Sequence, residues 1–377
     1  MRLAFLVDSL YTFGGVQRVT QVIATALMHA GHDITIVTLD AADASHESPF
    51  TIVPFAYPGT PHRKWQLCKC FSALYRKVLP HTRFTSRLYA HSSFPSEKRL
   101  ALAHTLQQGH HDAIVGVHAP LAVRLAACRP LLPGVRLIGW VHNSYEALFG
   151  KDSLYIGPEL RHHYDYQLSL LDATVVLSHF DAQRYTFSPR VIYNPLTLEP
   201  ARQSAGTSHK FLAVGRFSRR HKGFDLLIRA FHIFAQTDST WTLDIVGEGE
   251  EEALYRQLIS EYHLEQRVHL HPFTPDISQY YADAQVYVLS SRWEGFGLVL
   301  VEAMAHGLPV VSSDLPTSRE IMGDYALYFP VDDVLALASQ LQAATRLDWP
   351  SKSAAAPAIV RRFSIDTILR HWQEILE

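Results

Sequence analysis

Residues 1–39 read MRLAFLVDSLYTFGGVQRVTQVIATALMHAGHDITIVTL. Leu3–Val7 is a short unbroken apolar run, the pattern of a strand buried on both faces. A loop containing Gly14-Gly15 follows. From Val16 to Ala30 the apolar residues Val19, Ile23, Ala26, Leu27 and Ala30 recur at helical spacing, and Gly31 supplies a helix stop. Asp33–Leu39 is the next strand. Strand, helix and strand in this order predict a βαβ unit, hence a parallel sheet with right-handed crossovers.

The alternation resumes with strands at Asp112–Val117, Val135–Val141 and Ala173–Leu177 and helices at Pro120–Cys128 and Pro158–Leu171. Residues 41–111 fit it poorly and read as an insertion. Residues 194–209, with two prolines, Gly206 and several Ser/Thr, have linker composition. A second series then begins. Strands are expected at Lys210–Val214, Trp241–Val246, Arg267–His271, Gln285–Leu289 and Leu308–Ser312. Helices are expected at Phe224–Gln236, Glu250–Tyr262, 297–306, 331–346 and Ser364–Leu376. The reading is α/β, with two Rossmann-like doubly wound parallel-sheet domains, 1–193 and 194–363, facing across a cleft. The helix 364–377 is expected to pack back on the first domain. In such sheets ligands sit beyond the strand C-termini at the switch point.

Composition narrows the function. With 34 Lys/Arg against 36 Asp/Glu the net charge is −2, which gives no support for nucleic acid as a partner. Three cysteines, Cys68, Cys70 and Cys128, cannot form a disulfide framework and suit a reducing compartment. Asp8 ends the first apolar run too early for a secretory signal, and no stretch approaches the ~18 apolar residues of a membrane span. The expected location is cytoplasmic.

The sharpest chemical feature is Glu294-Gly295-Phe296-Gly297-Leu298-Val299-Leu300-Val301-Glu302. A strand leads into a glycine turn and then a helix that is apolar nearly all round and so should be buried. Glu302 and His306 form its one polar stripe. A buried carboxylate needs partners, and ligand hydroxyls, a structural Arg or backbone amides could each supply them. Val214-Gly215-Arg216-Phe217 with Lys222-Gly223 places two cations just past a strand, one forked and one a point charge, which suits a diphosphate. Arg219, Arg220 and His221 add positive potential. Gly14-Gly15 is neither a dinucleotide fingerprint nor a Walker loop, yet it allows close backbone approach to a ligand. His142-Asn143 and Gly247-Glu248-Gly249 each follow a strand.

Together these features resemble the retaining glycosyltransferases of the GT-B type, family 4 (glycosyl transferases group 1), as found in bacterial lipopolysaccharide and exopolysaccharide synthesis. The likeness rests on E-x7-E (Glu294 to Glu302), the GG loop, V-G-R…K-G at 214–223, V-G-E-G at 246–249 and G-L-P-V-V-S at 307–312. It implies transfer of a hexose-type sugar from a nucleotide sugar, with uridine as the expected base, to a glycan or lipid-linked acceptor. The first domain would bind the acceptor and the second the donor. Glu302 would hold the ribose hydroxyls, Arg216 and Lys222 would offset charge on the diphosphate, and Glu294 would contact the donor sugar. His142 would sit near the transferring sugar, and Phe273 would pack the base. Backbone at Gly14, Gly15, Gly247, Glu248, Phe296, Gly297 and Leu298 would complete the site. Several relatives have Asp where this chain has Asn143. No D-x-D motif lies near the phosphate site, so neither a metal nor another cofactor is expected. A 2-epimerase on the same scaffold and a non-catalytic nucleotide-binding module are the rival readings.

Residues 62–99 hold nine Lys/Arg and one acid, Glu97, with Trp65, Phe71, Tyr75, Phe84, Tyr89 and Phe94 interleaved. A helix over this segment would carry Leu67, Phe71, Leu74 and Val78 on one face and Lys69 and Arg76 opposite. That is a candidate interfacial helix for an anionic membrane, on the inner face of the cytoplasmic membrane. An ordinary surface helix accounts for the same pattern.

Overall fold

The computed structural model describes residues 1–151, 153 and 155–377. The chain divides into two compact units, Met1–Pro195 with Ile365–Glu377, and Leu196–Ser364. In the first, seven strands lie in the order β3-β2-β1-β4-β5-β6-β7. They are β1 (Arg2–Val7), β2 (Asp33–Thr38), β3 (Thr51–Pro54), β4 (Ala113–Val117), β5 (Arg136–Trp140), β6 (Ala173–Val176) and β7 (Arg190–Val191). Every pairing is parallel, with Leu3 opposite Ile34 on one side and Ala113 on the other. The order reverses between β1 and β4, which puts the switch point there.

The second unit repeats the plan in the order β10-β9-β8-β11-β12-β13, again all parallel. Its strands are β8 (Lys210–Val214), β9 (Thr242–Val246), β10 (Val268–His271), β11 (Val286–Leu289), β12 (Val310–Ser313) and β13 (Leu327–Phe329). Its switch point lies between β8 and β11. Each unit has its own core, one around Ile114, Leu121 and Leu137, the other around Phe211, Phe231 and Val288. Covering a parallel sheet on both faces leaves its strand ends as the exposed polar rim, so function collects there.

Residues 41–111 are not an insertion. They hold β3 and the crossover that returns the chain to β4: α2 (His62–Lys77), α3 (Arg83–Ser93) and α4 (Ser96–Gln108), with α1 (Gly15–His29) preceding them. β3 pairs on one side only, with β2, and none of its four residues is buried, so it lacks the apolar run that marks the central strands. α4 buries Leu102, Ala103 and Leu106. The one buried residue of α2 is Tyr75, stacked on Tyr89 of α3; of the apolar face read from the sequence, Leu67, Leu74 and Val78 (just past the helix) are exposed and Phe71 is half-buried.

β7 and β13, two and three residues long, are too short to show a period. The helix read over 158–171 spans only Arg161–Leu168 after a 3₁₀ turn. A helix at Trp349–Val360 contains Pro357, the residue type that argues against a helix interior. The last helix, Ile365–Leu376, belongs to the first unit. Its fully buried Trp372 meets Trp140 edge-on, with ring centroids 4.7 Å apart.

That edge contact generates a test. Trp372→Ala should cost about 3–5 kcal/mol of stability, as removal of a core aromatic does. Trp372→Phe should cost less, because it keeps a ring and deletes an indole N–H with no partner among the described residues. Chemical denaturation of the full chain reads both.

Candidate active site

The second unit brings its charged residues to its switch point. β8 ends in Val214-Gly215-Arg216, and a short helical turn, Arg219–Lys222, follows. β11 ends in Ser290-Ser291-Arg292-Trp293-Glu294. Between these loops Lys222 Nζ donates to Glu294 Oε1 at 2.6 Å, and Ser291 Oγ donates to the same oxygen at 2.6 Å. Both charged side chains are nearly buried, at 11% and 7% exposed. Burial alone would raise the Glu294 carboxyl, but Lys222 and His221 hold it well below the usual carboxylate range.

The two loops are sewn along their backbones as well. Arg292 N–H donates to His221 O and Ser290 Oγ donates to Lys222 O, each at 2.8 Å. The Arg292 guanidinium donates to Arg219 O and pairs with Asp225 and Asp332. The His221 ring lies flat on Trp293, centroids 3.7 Å apart and planes 4° from parallel. Burial and the Lys222 cation both lower the His221 pKa, against the opposing pull of Glu294. Two glycines permit this closeness. Gly223 has φ +62, and a Cβ there would meet Ser290 O at 2.3 Å. A Cβ on Gly247 would lie 1.9 Å from Gly215 O, so the V-G-E-G turn is a packing necessity for the β8 loop.

Arg216 is exposed and has no ion pair among the described residues. The Lys222 stem passes over Gly215, whose Cβ would lie 2.9 Å from Lys222 Cε. The backbone next to Arg216 therefore touches the Lys222 side chain.

The helix Leu298–Ala305 is buried as its composition demands, with Gly297 at its N-cap in the left-handed region at φ +87. Glu302 is 2% exposed. Its carboxylate accepts from Thr197 Oγ1 at 3.2 Å and Tyr281 OH at 3.0 Å. Two hydroxyls of the chain itself therefore hold it. His306 bonds back to Glu302 O and across to Ser278, and stacks on Tyr281. Phe296 is buried edge-on to Phe363, Leu298 opens the helix, and Glu248 and Phe273 are exposed on the loops after β9 and β10.

In the first unit, Gly14 and Gly15 are exposed at the start of α1. A group that sequence reasoning missed fixes the loop before them. Buried Asp43 accepts from Leu10 N–H at 2.7 Å, Tyr11 N–H at 3.2 Å and Ser9 Oγ at 3.0 Å. His142 follows β5, is 5% exposed, and lies with its ring centroid 4.2 Å from that of Trp140. Asn143 beside it is half-buried. Asp43, Thr197, Tyr281 and Trp293 carried no sequence signal, since each acts through a tertiary contact.

Among the described residues no group of three or more His, Cys, Asp or Glu could hold a metal ion, and no helix is long and apolar enough to cross a membrane.

Comparison with known proteins accords with this arrangement. The family described as Glycosyltransferase Family 4 matches residues 13–199, and that described as Glycosyl transferases group 1 matches residues 197–355. The amylovoran biosynthesis glycosyltransferase AmsD of Erwinia amylovora is 30% identical over 55% of this chain and 62% of its own. The lipopolysaccharide core biosynthesis mannosyltransferase LpsB of Rhizobium meliloti is 28% identical over 49% of this chain and 53% of its own. The chain thus spans little more than half the length of these curated relatives. Among solved structures, Anabaena HepE in complex with UDP and glucose superposes with a TM-score of 0.74 at 20% identity, covering 100% of this chain and 99% of that one, a likeness of fold. With the two family matches running end to end from residue 13 to residue 355, the chain belongs to the GT-B glycosyltransferases, a family 4 half joined to a group 1 half.

Proposed function

We propose that this chain is a retaining transferase that moves a hexose-type sugar from a nucleotide sugar, UDP-linked, to a glycan or lipid-linked acceptor in bacterial surface polysaccharide synthesis. The observation that carries the reading is the buried Lys222–Glu294 pair at the second switch point, with Arg216 exposed on the adjoining loop. Donor binding falls to the group 1 half and acceptor binding to the family 4 half. AmsD and LpsB, by their names, supply the polysaccharide setting, and HepE the precedent for UDP.

In the reaction the bond from the sugar C1 to the diphosphate oxygen breaks, and a bond from the acceptor oxygen to C1 forms on the same face. The acceptor proton passes to the departing phosphate. Lys222 and Arg216 offset the charge that builds on the diphosphate, and because Lys222 is already held in place it needs no reorganisation at the moment of reaction. Glu302 takes the ribose hydroxyls, exchanging the hydroxyls it now holds. Glu294, its charge kept by Lys222, faces the donor sugar. Phe273 packs the base, and backbone amides at Gly15 and Phe296–Leu298 meet phosphate and sugar.

Fixed side-chain cations make a metal unnecessary. A cytoplasmic, peripheral membrane site accords with α2 and α3, which expose Trp65, Leu67, Leu74, Val78 and Phe84 among Arg63, Lys69, Lys77, Arg83 and Arg87. An apolar surface set in cations suits an anionic lipid headgroup layer.

Five outcomes test the reading. Incubating the chain with a panel of nucleotide sugars and saccharide acceptors should yield a glycoside, not an epimerised nucleotide sugar. In that assay Lys222→Ala should lower kcat by about 10²–10³-fold, as loss of one electrostatic contact does. Glu302→Ala should lower kcat/KM by ~10–100-fold, the worth of hydrogen bonds to a charge. Addition of EDTA should leave the rate unchanged; loss of activity restored by a divalent cation would reject metal independence. In flotation with phosphatidylglycerol vesicles, the triple substitution Lys69→Gln, Lys77→Gln, Arg87→Gln should weaken binding about 100-fold, at ~1 kcal/mol per charge. Unchanged flotation would reject membrane docking through α2 and α3.

A further inference from the structure

We propose that His118 is a second sugar-contacting residue of the first unit, forming with His142 a two-imidazole site for the hydroxyl groups of the glycosyl substrate. This rests on the transferase reading above. His118 follows β4, at the switch point of its sheet, and His142 follows the neighbouring β5. Their ring centroids are 5.6 Å apart.

Three observations single out His118. Its backbone has φ 75 and ψ 150, a region occupied almost only by glycine. It is the N-cap of the helix Ala119–Ala127, yet its side chain makes no capping hydrogen bond. Both the dihedrals and the cap position favour other residues, Gly for the first and Ser, Thr, Asp or Asn for the second. A residue kept against two local preferences is kept for its side chain. The third observation is His142, which is nine-tenths buried with neither ring nitrogen hydrogen-bonded among the described residues. Buried polar atoms of this kind want a partner, and a ligand that reaches His142 in this corner meets His118 as well.

The chemistry of the pair selects the ligand. Burial holds the pKa of His118 below its ordinary value, against a small opposing effect from Asp8, and burial with His118 nearby holds that of His142 far below. Both rings are neutral at pH 7. Each then offers one N–H donor and one bare nitrogen acceptor, the complement of a hydroxyl, which also donates and accepts. A phosphate only accepts and carries charge, so it is poorly served here. The ligand class is a neutral polyhydroxylated sugar.

Glycine and asparagine at position 118 separate strain from chemistry. His118→Gly relieves the dihedral strain and should raise the melting temperature of the full chain by about 3 °C. It should also lower the turnover of whichever nucleotide sugar the unmodified chain consumes by ~10–100-fold, while the Kd for UDP alone stays within twofold. His118→Asn keeps a side-chain donor and acceptor, so it should recover part of the activity. A His118→Gly chain with full turnover, or with a lowered melting temperature, overturns the proposal and makes His118 a structural residue. An unmodified chain that neither binds UDP nor consumes any nucleotide sugar overturns the transferase reading itself, and the sugar assigned to His118 with it.

Discussion

The arrangement of the second unit depends on one buried ion pair, Lys222 with Glu294. Taking two charges out of water is costly, and the pair persists only because its geometry is close and its spare capacity is used. Glu294 takes a second hydrogen bond from Ser291, and both loops are tied along their backbones. The glycines follow from the pair rather than accompany it. Gly223 must adopt a left-handed conformation against Ser290, and Gly247 must let the β9 turn touch Gly215. Because the Glu294 carboxyl is held below its unfolded value, the stabilisation is complete at neutral pH. It is lost only as pH falls through the folded value.

Such a pair also prepares a binding site. A lysine already desolvated and aimed needs no further ordering when an anion arrives, and the entropy of fixing its long side chain has been met in folding. The stack of His221 on Trp293 extends this rigidity to the whole 219–222 turn. Arg216 is built differently, exposed on the neighbouring loop. Under the proposed transfer, one fixed and one adaptable cation would follow a diphosphate whose charge shifts during bond breaking.

Much of this was legible in the sequence because it lies where local patterns are strong. The βαβ rhythm shows in apolar runs such as Leu3–Val7. Glu294 and Glu302 stand out because one precedes and the other lies within a helix that has no other polar residue. The failures have physical causes. β3 is an edge strand with no buried residue, and β7 has only two residues, so neither has a period to read. The helix containing Pro357 overrides its own propensity through tertiary packing. That Tyr75 anchors α2 was not legible, because a wheel shows which residues share a face and not which face meets a neighbour. Asp43, Tyr281 and Thr197 bond to groups distant in the chain, and distance in sequence leaves no local trace.

The two units place polar residues at the same point of the same sheet plan, yet with opposite electrical character. The second switch point pairs Lys222 with Glu294 and Arg219 with Asp225, and leaves Arg216 and Arg220 exposed on the β8 loop. The first gathers His118 and His142, both neutral. Fold alone cannot make this difference, since strand ends and helix N-termini are common to both. It comes from residue choice at the loops. Under the proposed transfer, the cations of the group 1 half suit a leaving group that departs as an anion, and the neutral imidazoles of the family 4 half suit sugar hydroxyls, which donate and accept hydrogen bonds without carrying charge.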